Sequence, residues 1–317
     1  MIGSNLARSL CEEGHEVIGI DNYWRGSSRY LNYVFKGLGD PPIVHQYDLS
    51  KNPDDWKHLF ADTDCVFHLA DVVAGIGYIF NNQGWTFRQN LLINTNVVNA
   101  VAELNCGRYI YVGTACSFPR SLQLSIDSKP LEENDLFPAL PESAYGWSKL
   151  MGHLDSFYLS QENKIPSVNL IFHNVYGSPC DYSEKSSQVI PSLCRKFLLA
   201  DSDEVVVWGN GLQGRAFVHV KDVVQALLKA LVNGDDAGTI QIGPNQCTSI
   251  KEIAHTIQKI IASDKTIIYD TTKPIGDIGR CANFAKAKKL LDWSPTVSIK
   301  EGLEDVLDWI QYSEANA

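Results

Sequence analysis

The sequence predicts an α/β fold built on a doubly wound parallel sheet, and two observations lead to this prediction. Short runs rich in β-branched and aromatic residues alternate with helix-like segments along most of the 317 residues, a pattern typical of parallel sheets covered by helices on both faces. In addition, the apolar run Tyr109–Cys116 ends in small polar residues, as expected for a buried strand whose carboxyl end, carrying Thr114, faces a ligand crevice.

The elements follow in order along the chain. Residues 4–14 form a predicted helix closed by Gly14. Three predicted strands follow, at 16–20, 43–47 and 64–69, and then a glycine-bearing loop at 74–77 and a long helix around 86–104. The strand carrying Thr114 comes next, followed by a helix carrying Tyr145, a strand at 167–172, a helix at 220–233 and a strand at 239–242.

Two remaining stretches do not continue this alternation. Residues 178–212 are punctuated by Pro, Ser and Gly, and the tail is helical over 250–261, 285–291 and 303–310. We therefore predict two domains. Residues 1–177, joined again by 213–243, form the domain built on the parallel sheet, whereas residues 178–212 and 244–317 form a smaller lobe.

Composition narrows the class of protein. The net charge of −10 argues against nucleic acid or an anionic membrane as a partner. No run of eighteen apolar residues is present and no charged-then-apolar leader precedes Asn5, so a soluble protein is expected. The eight cysteines show neither Cys-x-x-Cys pairs nor zinc-ligand spacing, so we expect no metal site, mostly unpaired core thiols and a cytoplasmic location.

Tyr145 and Lys149 are the most informative pair of side chains. On a helix, residues four apart share one face, with Cβ atoms roughly 5–6 Å apart. A nearby ammonium favours the phenolate, so the pKa of the tyrosine would fall below its usual value near ~10. Such a tyrosine could take a proton from a sugar hydroxyl. Tyr-x-x-x-Lys also occurs by chance on amphipathic helices, so the pair requires further support.

That support comes from its surroundings. Thr114, Tyr145 and Lys149 resemble in order and spacing the triad of the extended short-chain dehydrogenase/reductase superfamily. More narrowly, the chain resembles the nucleotide-sugar epimerase/dehydratase branch over nearly its whole length. Further matching segments are residues 67–70, Asn90, 172–177, 208–211, 215–222 and 277–280. The resemblance implies a Rossmann-like fold in which the larger domain binds NAD and the smaller lobe binds a nucleotide-sugar substrate. It also implies a homodimer formed through a four-helix contact.

The cofactor site is incomplete at the level of sequence. Dinucleotide folds use a glycine-rich turn after the first strand, which lets backbone N–H groups approach the pyrophosphate. Gly3 matches only the last glycine of that turn. We expect this to reflect an internal methionine taken as the start, or a fragment; a natural variant that binds cofactor poorly is the alternative. Without the first strand, neighbouring backbone groups would lose their partners.

The remaining cofactor residues are assigned from position and resemblance. Asp21 ends a predicted strand, where a carboxylate would bind the adenosine ribose of NAD and repel the 2′-phosphate of NADP; a solvated turn is the alternative. By resemblance, Asp48 and Leu49 flank the adenine, and Leu69 and Ala70 lie beside the nicotinamide ribose. The resemblance also implies that Asn90, Tyr145 and Lys149 belong to the cofactor site, with Lys149 holding the nicotinamide ribose. Asp71 stands where the resemblance leads us to expect a small apolar residue, and the sequence offers no reason for it.

The residues after Thr114 bear on the reaction. Dehydratases of this branch carry an acid there, whereas this chain has Ala115 and Cys116, which argues against dehydration. The segment resembles instead that of the GDP-mannose 3,5-epimerase and GDP-fucose synthase families, in which the cysteine is an acid/base. A buried structural thiol is the alternative. Gln188 stands where those families have Lys or His, and Gln cannot transfer a proton; Lys185 is a possible substitute.

Substrate contacts are also implied by the resemblance. Arg215 and Arg280 match positions that hold the diphosphate, for which the planar guanidinium is well suited. Asn174 would contact the substrate near the sugar and first phosphate, and Gln188 lies in the same region. Trp208 either packs beneath a loop or stacks on the base.

Three hypotheses follow. The first is an NAD-dependent nucleotide-sugar epimerase that acts through a transient 4-keto sugar, with a GDP-sugar favoured over UDP- and CDP-sugars. The second is a sugar-nucleotide 4-dehydrogenase or a keto-sugar epimerase-reductase; Asp21 counts against the NADPH-dependent reductase. The third, from a different class, is a non-catalytic dinucleotide-fold protein.

Overall fold

A computed structural model describes residues 1–234, 238–273 and 275–316. Its helices are α1 (Ile2–Glu12), α2 (Ser28–Val34), α3 (Ile76–Asn81), α4 (Gln83–Glu103), α5 (Ala144–Asn163), α6 (Val189–Leu199), α7 (Val220–Asn233), α8 (Ile250–Ile260), α9 (Ala285–Leu291) and α10 (Ile299–Ala315). Its strands are β1 (Gly19–Asp21), β2 (Val44–Gln46), β3 (Val66–His68), β4 (Tyr109–Thr114), β5 (Ser167–Phe172), β6 (Asn174–Tyr176), β7 (Glu204–Trp208), β8 (Gly214–Arg215), β9 (Phe217–His219), β10 (Thr239–Ile242), β11 (Thr248–Ser249), β12 (Thr266–Asp270) and β13 (Gly279–Arg280).

The central sheet is parallel and is buried on both faces, as the sequence predicts. Its strand order is β10-β5-β4-β3, with Tyr109 opposite Ser167 and Thr114 opposite Phe172. Along β4, Ile110 and Val112 belong to one apolar core, together with α1 and α7. Tyr109 and Tyr111 belong to a second core on the opposite face, together with α4. Because alternate side chains of a strand point to opposite faces, a strand covered on both sides must be apolar throughout.

The parallel strands of the first half of the chain form two separate sheets. β1 pairs with β2, with Gly19 opposite Val44, whereas β3 pairs with β4; among the described strands, none joins the β1 edge to the β3 edge. Both edges line one cavity of about 1820 Å³. The predicted consequence is therefore confirmed, because each edge presents backbone N–H and C=O groups without a strand partner.

The second half of the chain builds a separate apolar core. Strands β7 and β12 pair in parallel, and α6, α8 and α10 pack around them. The region 178–212, which the sequence analysis left without regular alternation, in fact contains α6 and β7. Its pattern was obscured because Pro191 stands within the first turn of α6, where a missing backbone N–H is tolerated.

A small three-stranded sheet carries the two arginines of interest. It has the order β11-β8-β13, which places Arg215 on β8 directly opposite Arg280 on β13. A disulfide between Cys247 and Cys281, with Cα atoms 5.4 Å apart, joins the segments at the two edges of this sheet. The expectation of unpaired thiols is wrong for these two residues, because their 34-residue separation hides a contact that only the fold creates.

Among the described helices, none is long and apolar enough to cross a membrane.

Candidate active site

The predicted catalytic residues meet at the carboxyl end of the central sheet. Thr114 ends β4, and α5 presents Tyr145 in its first turn and Lys149 one turn later. Ser143 begins α5 by accepting a hydrogen bond from the backbone N–H of Gly146. A Cβ at Gly146 would collide with the carbonyl group of Cys116, so glycine allows α5 to lie directly against the segment that follows β4. Thr114, Cys116, Tyr145 and Lys149 all line the large cavity.

The environment of Tyr145 differs from the predicted one. Burial raises the pKa of its phenol, and the neighbouring Cys116 acts in the same direction. The hydrogen bond with the Thr114 side chain lowers the pKa, as do the more distant charges of Arg25 and Arg280. The sequence suggested that Lys149 would be the main cation lowering this pKa. The structure directs the Lys149 ammonium elsewhere, because a carboxylate competes for it.

That carboxylate is Asp71, which follows β3. Lys149 Nζ forms an ion pair with Asp71 Oδ2, and both side chains are buried, with exposed fractions of 4% and 5%. The ammonium also lies 4.5 Å from the centroid of the Tyr111 ring, where a cation is attracted by the ring face. Burial lowers the pKa of Lys149 to about 7, while the adjacent carboxylate acts in the opposite direction by favouring the ammonium.

Cys116 is held by a buried arginine. Arg280 donates from NH1 to Cys116 Sγ at 3.0 Å and from Nε to Gln123 Oε1 at 2.5 Å, and it forms an ion pair with Asp277. Cys116 is therefore placed as an acid/base candidate next to Tyr145. The sequence analysis assigned Arg280 to the diphosphate only and gave no role to Gln123 or Asp277.

Two buried arginines line the same cavity. Arg215 and Arg280 have exposed fractions of 9% and 7%. Burial, followed by the like charge of Arg280, lowers the pKa of Arg215 to about 9. Arg215 donates to the carbonyl groups of Gly214 and Ile275, which fixes its orientation. Arg280 is already paired with Asp277, whereas Arg215 forms no ion pair with a carboxylate among the described residues, so a phosphate of the substrate would supply the partner that Arg215 lacks.

Most of the other predicted residues also line this cavity. For the cofactor these are Gly3, Asp21, Asp48, Leu49, Leu69 and Ala70, and for the substrate Asn174, Gln188 and Trp208, with Lys185 beside them. Asn90 does not line it. Asn90 is wholly buried and holds the segment after β3 through hydrogen bonds with the backbone of Val72 and with Ser148.

The residues present fit a dinucleotide in three respects. Helix α1 begins at Ile2 with no side-chain cap, so its first N–H groups can receive a pyrophosphate. Asp21 stands at the end of β1, where it accepts a hydrogen bond from the backbone N–H of Tyr23 at 2.7 Å. Asp71 Oδ1 is buried without a hydrogen-bond partner among the described residues, and an orphaned acceptor of this kind indicates an absent donor.

Arg25 is a further residue that the sequence analysis missed. It forms an ion pair with Asp181 at 3.2 Å and donates to the carbonyl group of Val73 at 2.8 Å. It thereby joins the segment after β1 to two other walls of the cavity. Only its position four residues after Asp21 could have drawn attention to it, and that signal is weak.

The buried His173 yields a prediction about pH. Its Nε2 lies 3.0 Å from Oε1 of Gln241, and burial lowers its pKa to about 4. In the unfolded chain the same imidazole has a pKa near ~6.5. The contribution of His173 to the free energy of unfolding is therefore complete above that pH and is lost as the pH falls toward the folded-state pKa, by up to about 3 kcal/mol. Urea unfolding at several pH values should show a flatter acid slope in His173→Gln, whereas a substitution of the exposed His15 should leave the slope unchanged. An unaltered slope in His173→Gln would contradict this assignment.

Comparisons with known proteins bear on the family to which the chain belongs. The family described as "NAD dependent epimerase/dehydratase family" matches residues 1–243. The chain is 29% identical to GDP-mannose 3,5-epimerase of Arabidopsis thaliana over 310 residues, covering 98% of this chain and 79% of that protein. It is 25% identical to GDP-L-fucose synthase 1 of the same plant over 318 residues, covering 98% and 90%.

Solved structures show the same fold. UDP-glucose 4-epimerase from Thermotoga maritima, solved with UDP-glucose, superposes with a TM-score of 0.87 at 22% identity, covering 99% of this chain and 96% of that one. UDP-glucuronic acid 4-epimerase from Bacillus cereus, solved with UDP-glucuronic acid and NAD, gives 0.83 at 24% identity, covering 98% and 96%. These relatives are enzymes, which favours catalysis over the non-catalytic hypothesis. With the family match spanning residues 1–243, the chain belongs to the NAD-dependent epimerase/dehydratase family.

Proposed function

We propose that this enzyme is a nucleotide-sugar epimerase that acts through a transient 4-keto sugar, with a GDP-sugar as its substrate. The observation that carries the proposal is the placement of Tyr145, Thr114 and Cys116 in one cavity, with Arg280 on the thiol. Bound NAD⁺ supplies the hydride acceptor for oxidation at C4. The protein side chains must then provide two separate proton transfers, one at the C4 hydroxyl and one at a neighbouring carbon.

The first transfer is assigned to Tyr145. Its phenol, hydrogen-bonded to Thr114, removes the proton of the C4 hydroxyl as the hydride leaves the carbon. Thr114 binds the reacting oxygen and holds it next to the phenol. Reversal of the transfer restores the alcohol, so no net oxidation of the sugar results.

The second transfer is assigned to Cys116. A ketone at C4 acidifies the C–H bonds of the neighbouring carbons, and the sulfur atom of Cys116, held by Arg280, can act as the base that removes such a proton. Inversion of the centre requires that a proton be delivered to the opposite face of the carbon by a second group. Gln188 cannot supply it, so Lys185, which also lines the cavity, is the proposed donor. With one such pair of groups, inversion at a single centre is favoured over inversion at two.

The choice of nucleotide base in the proposed substrate comes from the relatives found by sequence. The relatives named above act on GDP-sugars, whereas the solved structures named above hold UDP-sugars at less than 25% identity. We therefore favour a GDP-sugar and retain UDP-sugars as the alternative. For the whole protein we also propose a cytoplasmic location and a homodimer. Size-exclusion chromatography with light scattering would test the dimer.

The experiment that tests the proposal uses proton exchange. The protein is incubated with NAD⁺ and, separately, with GDP-, UDP- and CDP-sugars in D₂O, and the recovered sugars are analysed by NMR and mass spectrometry. Deuterium at a carbon adjacent to C4, with bound cofactor unchanged in amount, would support the epimerase. Net accumulation of NADH would favour the 4-dehydrogenase instead, and absence of exchange with every sugar would contradict the proposal.

Arg215 gives a prediction about affinity. Replacement by Ala should weaken binding of a GDP-sugar by about tenfold to a hundredfold, because a charge-assisted hydrogen bond to phosphate contributes about 1.5–3 kcal/mol. Calorimetric titration measures this directly. Arg8→Ala is the control, because Arg8 is paired with Glu12 on the surface. Equal affinities for the Arg215 variant and the native protein would exclude Arg215 from the diphosphate site.

A further inference from the structure

The most unusual side chain of the cavity is Asp71. The resemblance to known families led us to expect a small apolar residue at this position, yet the chain has a carboxylate there, with an exposed fraction of only 5%. Burying a charged group is unfavourable unless the structure provides compensating partners. Its two oxygen atoms therefore require separate explanations.

Only one of the two oxygen atoms is explained by the protein. Oδ2 forms the ion pair with Lys149. Oδ1 is buried and has no hydrogen-bond partner among the described residues. An ionised carboxylate accepts hydrogen bonds on both oxygen atoms, and a buried acceptor left unpaired reduces stability by about 1–3 kcal/mol. If Asp71 served only as the counter-ion of Lys149, its Oδ1 atom would not need to be buried without a hydrogen-bond partner.

The position of Asp71 identifies the donor that is missing. Asp71 follows β3, pairs with Lys149 and lines the same cavity as Tyr145 and Thr114. A hydride acceptor must lie against the carbon whose hydroxyl contacts Tyr145, so the nicotinamide half of the cofactor lies at this end. Asp21 stands instead at the end of β1, which belongs to the other part of the divided sheet. The two carboxylates are therefore placed at opposite halves of a dinucleotide.

We propose that Asp71 binds the ribose of the nicotinamide half, with Oδ1 accepting a hydrogen bond from a ribose hydroxyl while Oδ2 holds Lys149 in place. The cofactor would then be bound by two carboxylates, Asp21 at the adenosine ribose and Asp71 at the nicotinamide ribose. A ribose hydroxyl supplies the neutral donor that Oδ1 lacks, and it leaves the ion pair with Lys149 intact. The inference rests on the NAD dependence of the family and not on the sugar substrate, so a chain that epimerises no sugar nucleotide would leave it standing.

The test compares three ligands that differ at the relevant ribose. ADP lacks the second ribose, ADP-ribose contains it without nicotinamide, and NAD⁺ contains both. The affinities of the native protein, Asp71→Asn and Asp71→Ala are measured by calorimetric titration. We expect both variants to bind NAD⁺ and ADP-ribose about tenfold or more weakly, since the lost hydrogen bond involves a charged acceptor. ADP should bind as in the native protein, which also shows that the variants are folded.

A matched variant makes the comparison specific. Asp21→Asn should weaken all three ligands, because each contains the adenosine ribose. The inference would be overturned if the Asp71 variants bound all three ligands as the native protein does, or lost affinity for all three equally. It would also be overturned if the native protein bound none of the three, or bound ADP-ribose no more tightly than ADP.

Discussion

Replacing Tyr145 by Phe is expected to reduce turnover by about 10² to 10⁴, the usual contribution of a positioned acid/base group. The substitution removes only the phenolic oxygen, which lies in the cavity and is hydrogen-bonded to Thr114. Affinity for NAD⁺ should be nearly unchanged, because the ring and the helix remain. The loss should appear in kcat and in kcat/KM alike, as expected for an interaction made in the transition state.

The matched control lies on the same helix. Tyr158, also on α5, is 54% exposed, so Tyr158→Phe should leave turnover at the native level. Both variants are assayed by product formation and by calorimetric titration with NAD⁺. Turnover of Tyr145→Phe within a few-fold of native would show that another group removes the hydroxyl proton.

Replacing Cys116 by Ser is expected to separate the two proton transfers. A hydroxyl group is a far weaker acid than a thiol, so removal of the carbon-bound proton should slow by about 10² or more. Oxidation at C4 should continue, because Tyr145 and Thr114 are untouched. Deuterium incorporation at the neighbouring carbon should therefore fall, while a transient reduced-nicotinamide signal persists after substrate is added.

The control and the opposing result are equally direct. Cys11 lies on α1 as a free thiol and does not line the cavity, so Cys11→Ser should exchange deuterium at the native rate. Native-rate exchange in Cys116→Ser would remove this thiol from the mechanism and leave it a partly buried structural residue held by Arg280.

The sequence predicted the fold well where a strand is covered on both faces. The apolar run of β4 and the helix carrying Tyr145 lie close to their predicted positions, because hydrophobic pattern alone determines them. The region 178–212 was less predictable, since α6 and β7 contribute to a core made mainly with the distant helices α8 and α10. Local pattern gives little information about such long-range packing.

The sequence predicted which residues lie at the site but not which of them contact one another. Sequence order placed Thr114, Tyr145, Lys149 and Cys116 at one sheet edge, yet it could not show that Asp71 would take Lys149 or that Arg280 would contact Cys116. Those pairs join residues 78 and 164 positions apart. Contacts across such separations depend on the three-dimensional arrangement, and the disulfide between Cys247 and Cys281 was hidden for the same reason.

The central claim is that Tyr145 starts a reversible oxidation in this cavity, and rapid mixing of the NAD⁺-bound protein with its sugar nucleotide tests it most directly. The account predicts that the near-ultraviolet absorbance of reduced nicotinamide rises and then decays to its starting level, and that Tyr145→Phe shows no rise. Deuterium exchange into the sugar without any such transient, or an equal transient in Tyr145→Phe, would contradict it.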